Sequence, residues 1–338
     1  MKIFLRIVLI IFTLANLNLL GAPLQFDEVL ERAKNFSLVK SPENLEKMHK
    51  LILENLDTHH LKDYFLKDED YIFIRPKGLD LVERYLKRDQ AEAWKDWNIH
   101  FCSLSELKDL IKSNATPSMS DRKVDYVILY RDNETYEDPH LCPIVLIHQY
   151  QELEIFIFDS LGFDEYLIED MQNEVFSYLG EVKIDVIMSA VKRQKDLFSC
   201  SVFSYTDIRN LIELNFEKNT FLQKNLKSHA VLKEGSENFR LLTLDFLPPL
   251  LMRKTQSYST IKYVNTLIPK DFFGVLVHRK SSDGQIISVQ QGEVDYLDKL
   301  IVDHGYAVVD GANINFYTHR KWFDFIVMIL SEINNFRN

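Results

Sequence analysis

Three short apolar runs, VDYVILY (124–130), CPIVLI (142–147) and EIFIFDS (154–160), constrain this chain more than any other feature. Each is rich in β-branched and aromatic residues and short for a buried helix, so each reads as a strand. Strands this apolar on both faces need cover on both sides, which sets them in a sheet between layers of helices. The link HQYQEL makes the second and third runs a hairpin. A fourth run, VKIDVIMSA (182–190), reads as the next strand.

Helical spacing surrounds this block. Residues 25–66 read as helical, with one start at Ser41 followed by Leu45, Met48, Leu51 and Ile52 at helical intervals. GLDLVERYLKR (78–88) and LSELKDLIKS (104–113) read as further helices, with NIHFCS as a short strand between them. SVFSYTDIRNLIEL, after Cys200, reads as an amphipathic helix, and residues 211–240 as charged helix or loop. In LDFLPPLLMRKTQSYSTIKYV (244–264), a Pro-Pro stop and a polar turn precede a helix. FFGVLVHR (272–279) and INFYTH (314–319) read as strands, with a last helix from about 320. The fold class is α+β, a central mixed β-sheet flanked by helices.

At 338 residues and 46% hydrophobic, the chain can bury a sizeable core. The formal net charge of -10 argues against general nucleic-acid binding and leaves a local basic pocket open. Three cysteines, Cys102, Cys142 and Cys200, with no CxxC pair argue against a disulfide framework or structural zinc. Lys2 and Arg6 lead into an apolar run that ends in small residues near Ala22, the shape of a secretory signal. A membrane anchor is the alternative for residues 1–22, and Pro23 would hinder cleavage.

Three local patterns carry chemistry. His140 opens the strand LCPIVLI, Asp159 closes the strand IFIFDS, and Gln194 precedes Cys200 by six residues at a helix start. A thiol of ordinary pKa needs an imidazole to take its proton. A carboxylate behind that imidazole fixes its tautomer and stabilises its cation. The helix N-terminus favours thiolate, and a Gln amide with backbone N–H groups can stabilise an oxyanion. Singly these residues say little. Together they form the arrangement of the CE clan of cysteine proteases and its acyltransferase relatives.

Ubiquitin-like proteases of that clan carry His-Trp and Asp-Cys-Gly, whereas this chain has His140-Leu141 and Ser199-Cys200-Ser201. QKDLFSCSVFSYTDIRNL instead resembles the nucleophile segment of the YopJ effector family, with Val202, Phe203 and Ser204 matching. Thr255, Gln256 and Ser257 resemble that family's Lys-His-Thr-Gln segment, and VVDGANINFYTHRKWFDF (308–325) its Val-Asp-Gly…His-Lys-Arg ending. The resemblance spans about residues 78–330. Ser201 departs from it, standing where the family has Gly, and Arg253 stands at the position of a modified Lys, with Lys254 one place along.

The resemblance implies a CE-clan protease-like core with a helical regulatory region. Residues 23–115 are then a regulatory helical region, 116–240 the catalytic core, and 241–338 an acetyl-CoA and regulatory region that closes the sheet. It implies a secreted virulence effector acting in host cells. Such an enzyme transfers acetyl from acetyl-CoA to Ser, Thr or Lys of host signalling proteins such as kinases, with inositol hexakisphosphate as activator. His140, Asp159 and Cys200 are the implied triad, and Gln194 the oxyanion donor. Arg122, Lys123, Arg253, Lys254, Gln256 and Ser257 are the candidates for binding these ligands. A ubiquitin-directed cysteine protease and a degenerate binding module are the alternatives.

Overall fold

The computed structural model describes residues 24–68, 70–89, 98–114, 122–131, 140–196, 198–252, 254–267, 278–280, 286–288, 306–309 and 312–337. The signal-like segment 1–22, Arg253, Asp310, Gly311 and most of the run 272–279 lie outside them.

Two helices open the described chain, α1 (Phe26–Leu38) and α2 (Pro42–Asn55). Ser41 caps α2 as its sequence predicts, accepting the Asn44 N–H at 3.2 Å, with Pro42 in the first turn. The hairpin β1 (Phe65–Asp68) and β2 (Tyr71–Ile74) follows. Next come α3 (Pro76–Asp89), β3 (Ile99–Cys102) and α4 (Leu104–Asn114).

The predicted strand block is the centre of the molecule. β4 (Lys123–Arg131), β5 (His140–Gln149), β6 (Glu152–Ile157) and β7 (Lys183–Ser189) join β3, β9 (Phe239–Leu244) and β8 (Val231–Gly235) in one seven-stranded sheet. Its order is β3-β4-β5-β6-β7-β9-β8. β3–β4, β6–β7 and β7–β9 pair in parallel and the remaining pairs antiparallel, so the sheet is mixed as expected. The β5–β6 hairpin turns at Tyr150 and Gln151, where Gln151 adopts a φ of 55°. Three connecting helices are α5 (Glu165–Glu174), α6 (Cys200–Glu213) and α7 (Thr220–His229).

Period-two alternation divides the sheet's side chains between two cores. Leu141, Val145 and Ile147 of β5 face one core, shared with α1, α2, α3 and α6. Cys142, Ile144 and Leu146 face the other, shared with α4 and α5. The chain ends with α8 (Pro249–Met252), α9 (Tyr258–Leu267), the ribbons β10–β11 (His278–Lys280, Ile286–Ser288) and β12–β13 (Tyr306–Val309, Ala312–Asn315), and α10 (Tyr317–Arg337). INFYTH is therefore strand only to Asn315, and the helix begins at Tyr317. α10 packs against α1 and α3 and touches α2 and α6, closing the first core. Among the described residues no helix is long and apolar enough to cross a membrane.

Candidate active site

Sheet register brings the first two predicted residues together. β5 begins at His140 and runs antiparallel to β6, with Ile144 opposite Ile157 and the Phe158 N–H donating to Pro143 at 3.0 Å. The start of β5 therefore lies beside the end of β6. His140 Nε2 sits 2.8 and 3.0 Å from the two Asp159 carboxylate oxygens. Asp159 is fully buried and also accepts the Leu161 N–H at 2.8 Å.

Cys200 arrives by another route. β7 ends parallel to β6 at the same edge of the sheet, and the loop after Ser189 carries the chain to the first residue of α6. The Cys200 thiol hydrogen-bonds to the His140 ring. The carboxylate holds Nε2, which leaves Nδ1 for the thiol. Burial works against a protonated imidazole, but Asp159 and Cys200 outweigh it and raise His140 to about 10. Burial likewise pushes the Asp159 carboxyl up, and His140, the Leu161 N–H and the Cys142 thiol together hold it below the usual carboxylate range. His140 thus favours its cationic form, which suits a thiolate partner.

The Asp159 loop is rigidly framed. The Ser160 carbonyl accepts the Arg193 and Gln194 N–H groups at 2.8 and 2.9 Å. Gly162, at φ +92°, lies so close that an added Cβ would meet the Ala190 carbonyl at 3.1 Å. Gln194 is buried in this frame. Its oxygen accepts from Ser160 Oγ at 2.7 Å, and its amide donates to the Asp196 carbonyl at 2.8 Å.

The candidate ligand-binding residues do not gather in one place. Arg122 donates to the Glu217 carbonyl and to Gln223 Oε1. Lys123 binds Asn114 at 2.7 Å and lies opposite His148, at the end of β5 remote from His140. Lys254 is buried and pairs with Asp207 at 2.7 Å, the carboxylate that also meets the fully buried Arg193 at 2.7 Å. Gln256 takes the Lys195 N–H at 2.5 Å and the Asp196 N–H at 3.1 Å on its side-chain oxygen. Ser257 accepts the Thr260 N–H at 3.4 Å in the first turn of α9. The two C-terminal segments singled out in the sequence lie against each other: Asn315 N donates to the Gln256 carbonyl at 3.0 Å, and Thr318 Oγ1 to the Lys254 carbonyl at 3.1 Å.

A cavity of about 370 Å³ opens between α3, α6 and α10. Arg209, Lys254 and Lys321 line it with Thr206, Asn210 and Tyr317, and with the carboxylates Glu213 and Asp324. Asp324 is paired with Lys40. Arg209 and Lys321 lie in two separate segments, TDIRNL and THRKWF, but escape sequence reasoning because only packing brings them together. The basic His319-Arg320-Lys321 run at the start of α10 was the available signal.

Carboxylate, imidazole and thiol meet in this order at one end of the sheet, at the start of β5, just past the end of β6 and on the first turn of a buried helix, the arrangement expected of a cysteine-dependent enzyme of acyl-group chemistry. The comparisons narrow the class. The family model of the YopJ Serine/Threonine acetyltransferases matches residues 40–286, and the chain belongs to that family. No curated protein sequence matches it. Similar solved structures include HopZ1a in complex with IP6, at TM-score 0.52 and 11% identity, covering 92% of this chain and 99% of that one. HopZ1a in complex with IP6 and CoA gives 0.50 and 12%, with 90% and 97% covered. AvrA delL154 with IP6 and CoA gives 0.49 and 13%, with 87% and 98% covered. The fold is shared with HopZ1a at 11–12% sequence identity.

Proposed function

We propose that the chain is an effector acetyltransferase that moves acetyl from acetyl-CoA to Ser, Thr or Lys side chains of host signalling proteins, by a ping-pong route through Cys200. The observation that carries this reading is His140 held between the Asp159 carboxylate and the Cys200 thiol. The Cys200 thiolate attacks the acetyl carbonyl carbon, a new C–S bond forms, and the bond to the CoA sulfur breaks. His140, as imidazolium, gives its proton to the departing CoA thiolate. The neutral imidazole then takes the proton of the acceptor hydroxyl or amine as that group attacks the acetyl-cysteine. The thiolate and imidazolium are restored. Asp159 holds the ring and stabilises its cation throughout. Backbone N–H groups at the head of α6 are the donors available to the oxyanion, whereas the Gln194 amide already donates to the Asp196 carbonyl.

The basic cavity is the proposed site of inositol hexakisphosphate. Its size, the cations Arg209 and Lys321 and the hydroxyl of Tyr317 suit a polyphosphate, with Lys254 at the wall already paired to Asp207, and HopZ1a is known in complex with IP6. Glu213 opposes such a ligand, whereas Asp324 is already neutralised by Lys40. Kinases are the proposed targets, reached inside the host cell.

Incubation with radiolabelled acetyl-CoA, with and without inositol hexakisphosphate, tests the reading. Self-labelling that rises with the activator and disappears in Cys200→Ala supports it. No label under either condition, with cleavage of a ubiquitin-type fluorogenic substrate, would establish the protease alternative instead.

A further inference from the structure

The turn that delivers Cys200 is held by a buried carboxylate outside the triad. Asp196 is 7% exposed and stands four residues before Cys200. Its Oδ1 accepts the backbone N–H groups of Phe198 at 3.1 Å and Ser199 at 2.8 Å. Its Oδ2 accepts the Ser199 hydroxyl at 2.8 Å and the Gln256 side-chain amide, and His319 Nε2 lies 3.0 Å away. One carboxylate therefore joins three parts of the chain: the nucleophile loop, the turn before α9, and the first turn of α10.

The helix start explains the need for it. Ser199 occupies the N-cap of α6 but makes no side-chain capping bond, and its backbone is already helical at φ −84°, ψ −1°. The usual cap, a side-chain oxygen on the N–H groups of the first turn, is thus missing. Asp196 instead holds Ser199 from upstream, through both its N–H and its hydroxyl. Phe198 adds an apolar anchor, fully buried against the rings of His49 at 4.7 Å, Tyr71 at 5.0 Å and His319 at 5.4 Å.

We propose that Asp196 is the positioning residue of the Cys200 nucleophile, aiming the thiol at His140 and drawing its own position from His319 and Gln256. This rests on the reading of Cys200 as nucleophile. A carboxylate is suited to the place because every group aimed at it is a donor and it accepts on both oxygens. An amide there has one acceptor oxygen, so it can serve the loop N–H groups or the Gln256 and His319 side, not both.

The test is site-resolved alkylation of the full chain by iodoacetamide across pH, read by peptide mass spectrometry. Cys102 and Cys142 serve as references in the same sample. In the unmodified protein Cys200 reacts fastest. Folded Asp196→Asn is expected to lose at least about tenfold of the Cys200 rate at neutral pH. Cys102 and Cys142 keep theirs. His319→Gln, which retains an N–H donor, should stay near the unmodified rate, and His319→Leu should follow Asp196→Asn. A residue that merely supports the fold would lower the melting temperature and leave the Cys200 profile unchanged well below it, and that result overturns the proposal. If Asp196→Asn does not fold, an unchanged Cys200 profile in His319→Leu does the same. Should Cys200 react no faster than Cys142 in the unmodified protein, the nucleophile reading itself fails, an outcome separate from failure of the positioning role.

Discussion

At the residue scale, the site depends on which of two opposed influences wins at His140. Burial disfavours the imidazolium, and the Asp159 carboxylate, joined by Cys200, favours it more strongly, lifting it to about 10. Asp159→Asn removes the larger part of that support and leaves only Cys200 against burial, so His140 is expected to turn neutral at pH 7. Histidine Cε1–H shifts, assigned by difference against His140→Gln, should show a protonated ring from pH 6 to 9 in the unmodified protein and a neutral one in Asp159→Asn. Acetyl transfer should fall roughly 10²–10⁴-fold. The sign for stability follows from the raised value. The stabilisation from this imidazolium is complete below the ordinary histidine pKa and is lost as pH rises through about 10. Ser201 invites a different prediction. Its hydroxyl, on the residue after Cys200, is buried without a hydrogen-bond partner among the described residues. Such a group costs about 1–3 kcal/mol, and alanine keeps the helix, so Ser201→Ala should raise stability to urea by about 1 kcal/mol. Unchanged or lower stability would mean that this hydroxyl has a partner in solution.

At the scale of elements, the buried network Arg193–Asp207–Lys254 clamps the β7–α6 loop and the segment before α9 onto α6. Arg193 further donates to the carbonyls of Phe158 at 2.6 Å and Leu251 at 3.0 Å, tying the end of β6 to α8. Removing the shared carboxylate leaves two cations without their counter-charge inside the protein. Asp207→Asn should therefore cost about 3–5 kcal/mol, measured by guanidinium unfolding. The elements this network joins differ in how far the sequence reveals them. β4 to β7 were legible because apolar runs between turn signals leave few alternatives, and α6 because its periodicity begins at Cys200. The hairpin β1–β2 was missed, since it falls between the stretch read as helical to residue 66 and the helix read from 78. β8 and β9 were missed too: all five residues of β8 are exposed, so its sequence reads as charged loop. The same divide runs through the site. His140, Asp159 and Cys200 sit at the ends of legible elements. Asp196 and His319 meet only through the docking of α10, and nothing local in the sequence marks either as the other's partner.

At the scale of the molecule, the N- and C-terminal helices form one side of the core that carries Cys200. α10 supplies Trp322 and His319 to the rings around Phe198, α2 supplies His49, and β2 supplies Tyr71. His49 is held to about 3 by burial and by the nearby His319, so it packs there as a neutral ring that accepts the Ile72 N–H at 3.0 Å. The basic cavity shares these elements: Lys321 stands two residues beyond His319 on α10, and Lys254 two residues before Gln256. A polyanion bound there would tie α10 to α6, the helix that begins with Cys200. A ligand that binds the folded chain and not the unfolded one stabilises it by RT ln(1 + [L]/Kd), about 2.7 kcal/mol at a hundredfold excess over Kd. Inositol hexakisphosphate is accordingly expected to raise the melting temperature, and less so as salt screens the charges. Arg209→Gln and Lys321→Gln should each weaken that rise, with the ligand-free melting temperature nearly unchanged in Lys321→Gln and lowered in Arg209→Gln, whose Nε is buried beside Tyr205. Glu213→Gln should strengthen it by removing an opposing carboxylate. A thermal-shift titration of the three variants at two salt concentrations checks the whole set. Equal shifts in all of them would move the polyanion site away from this cavity.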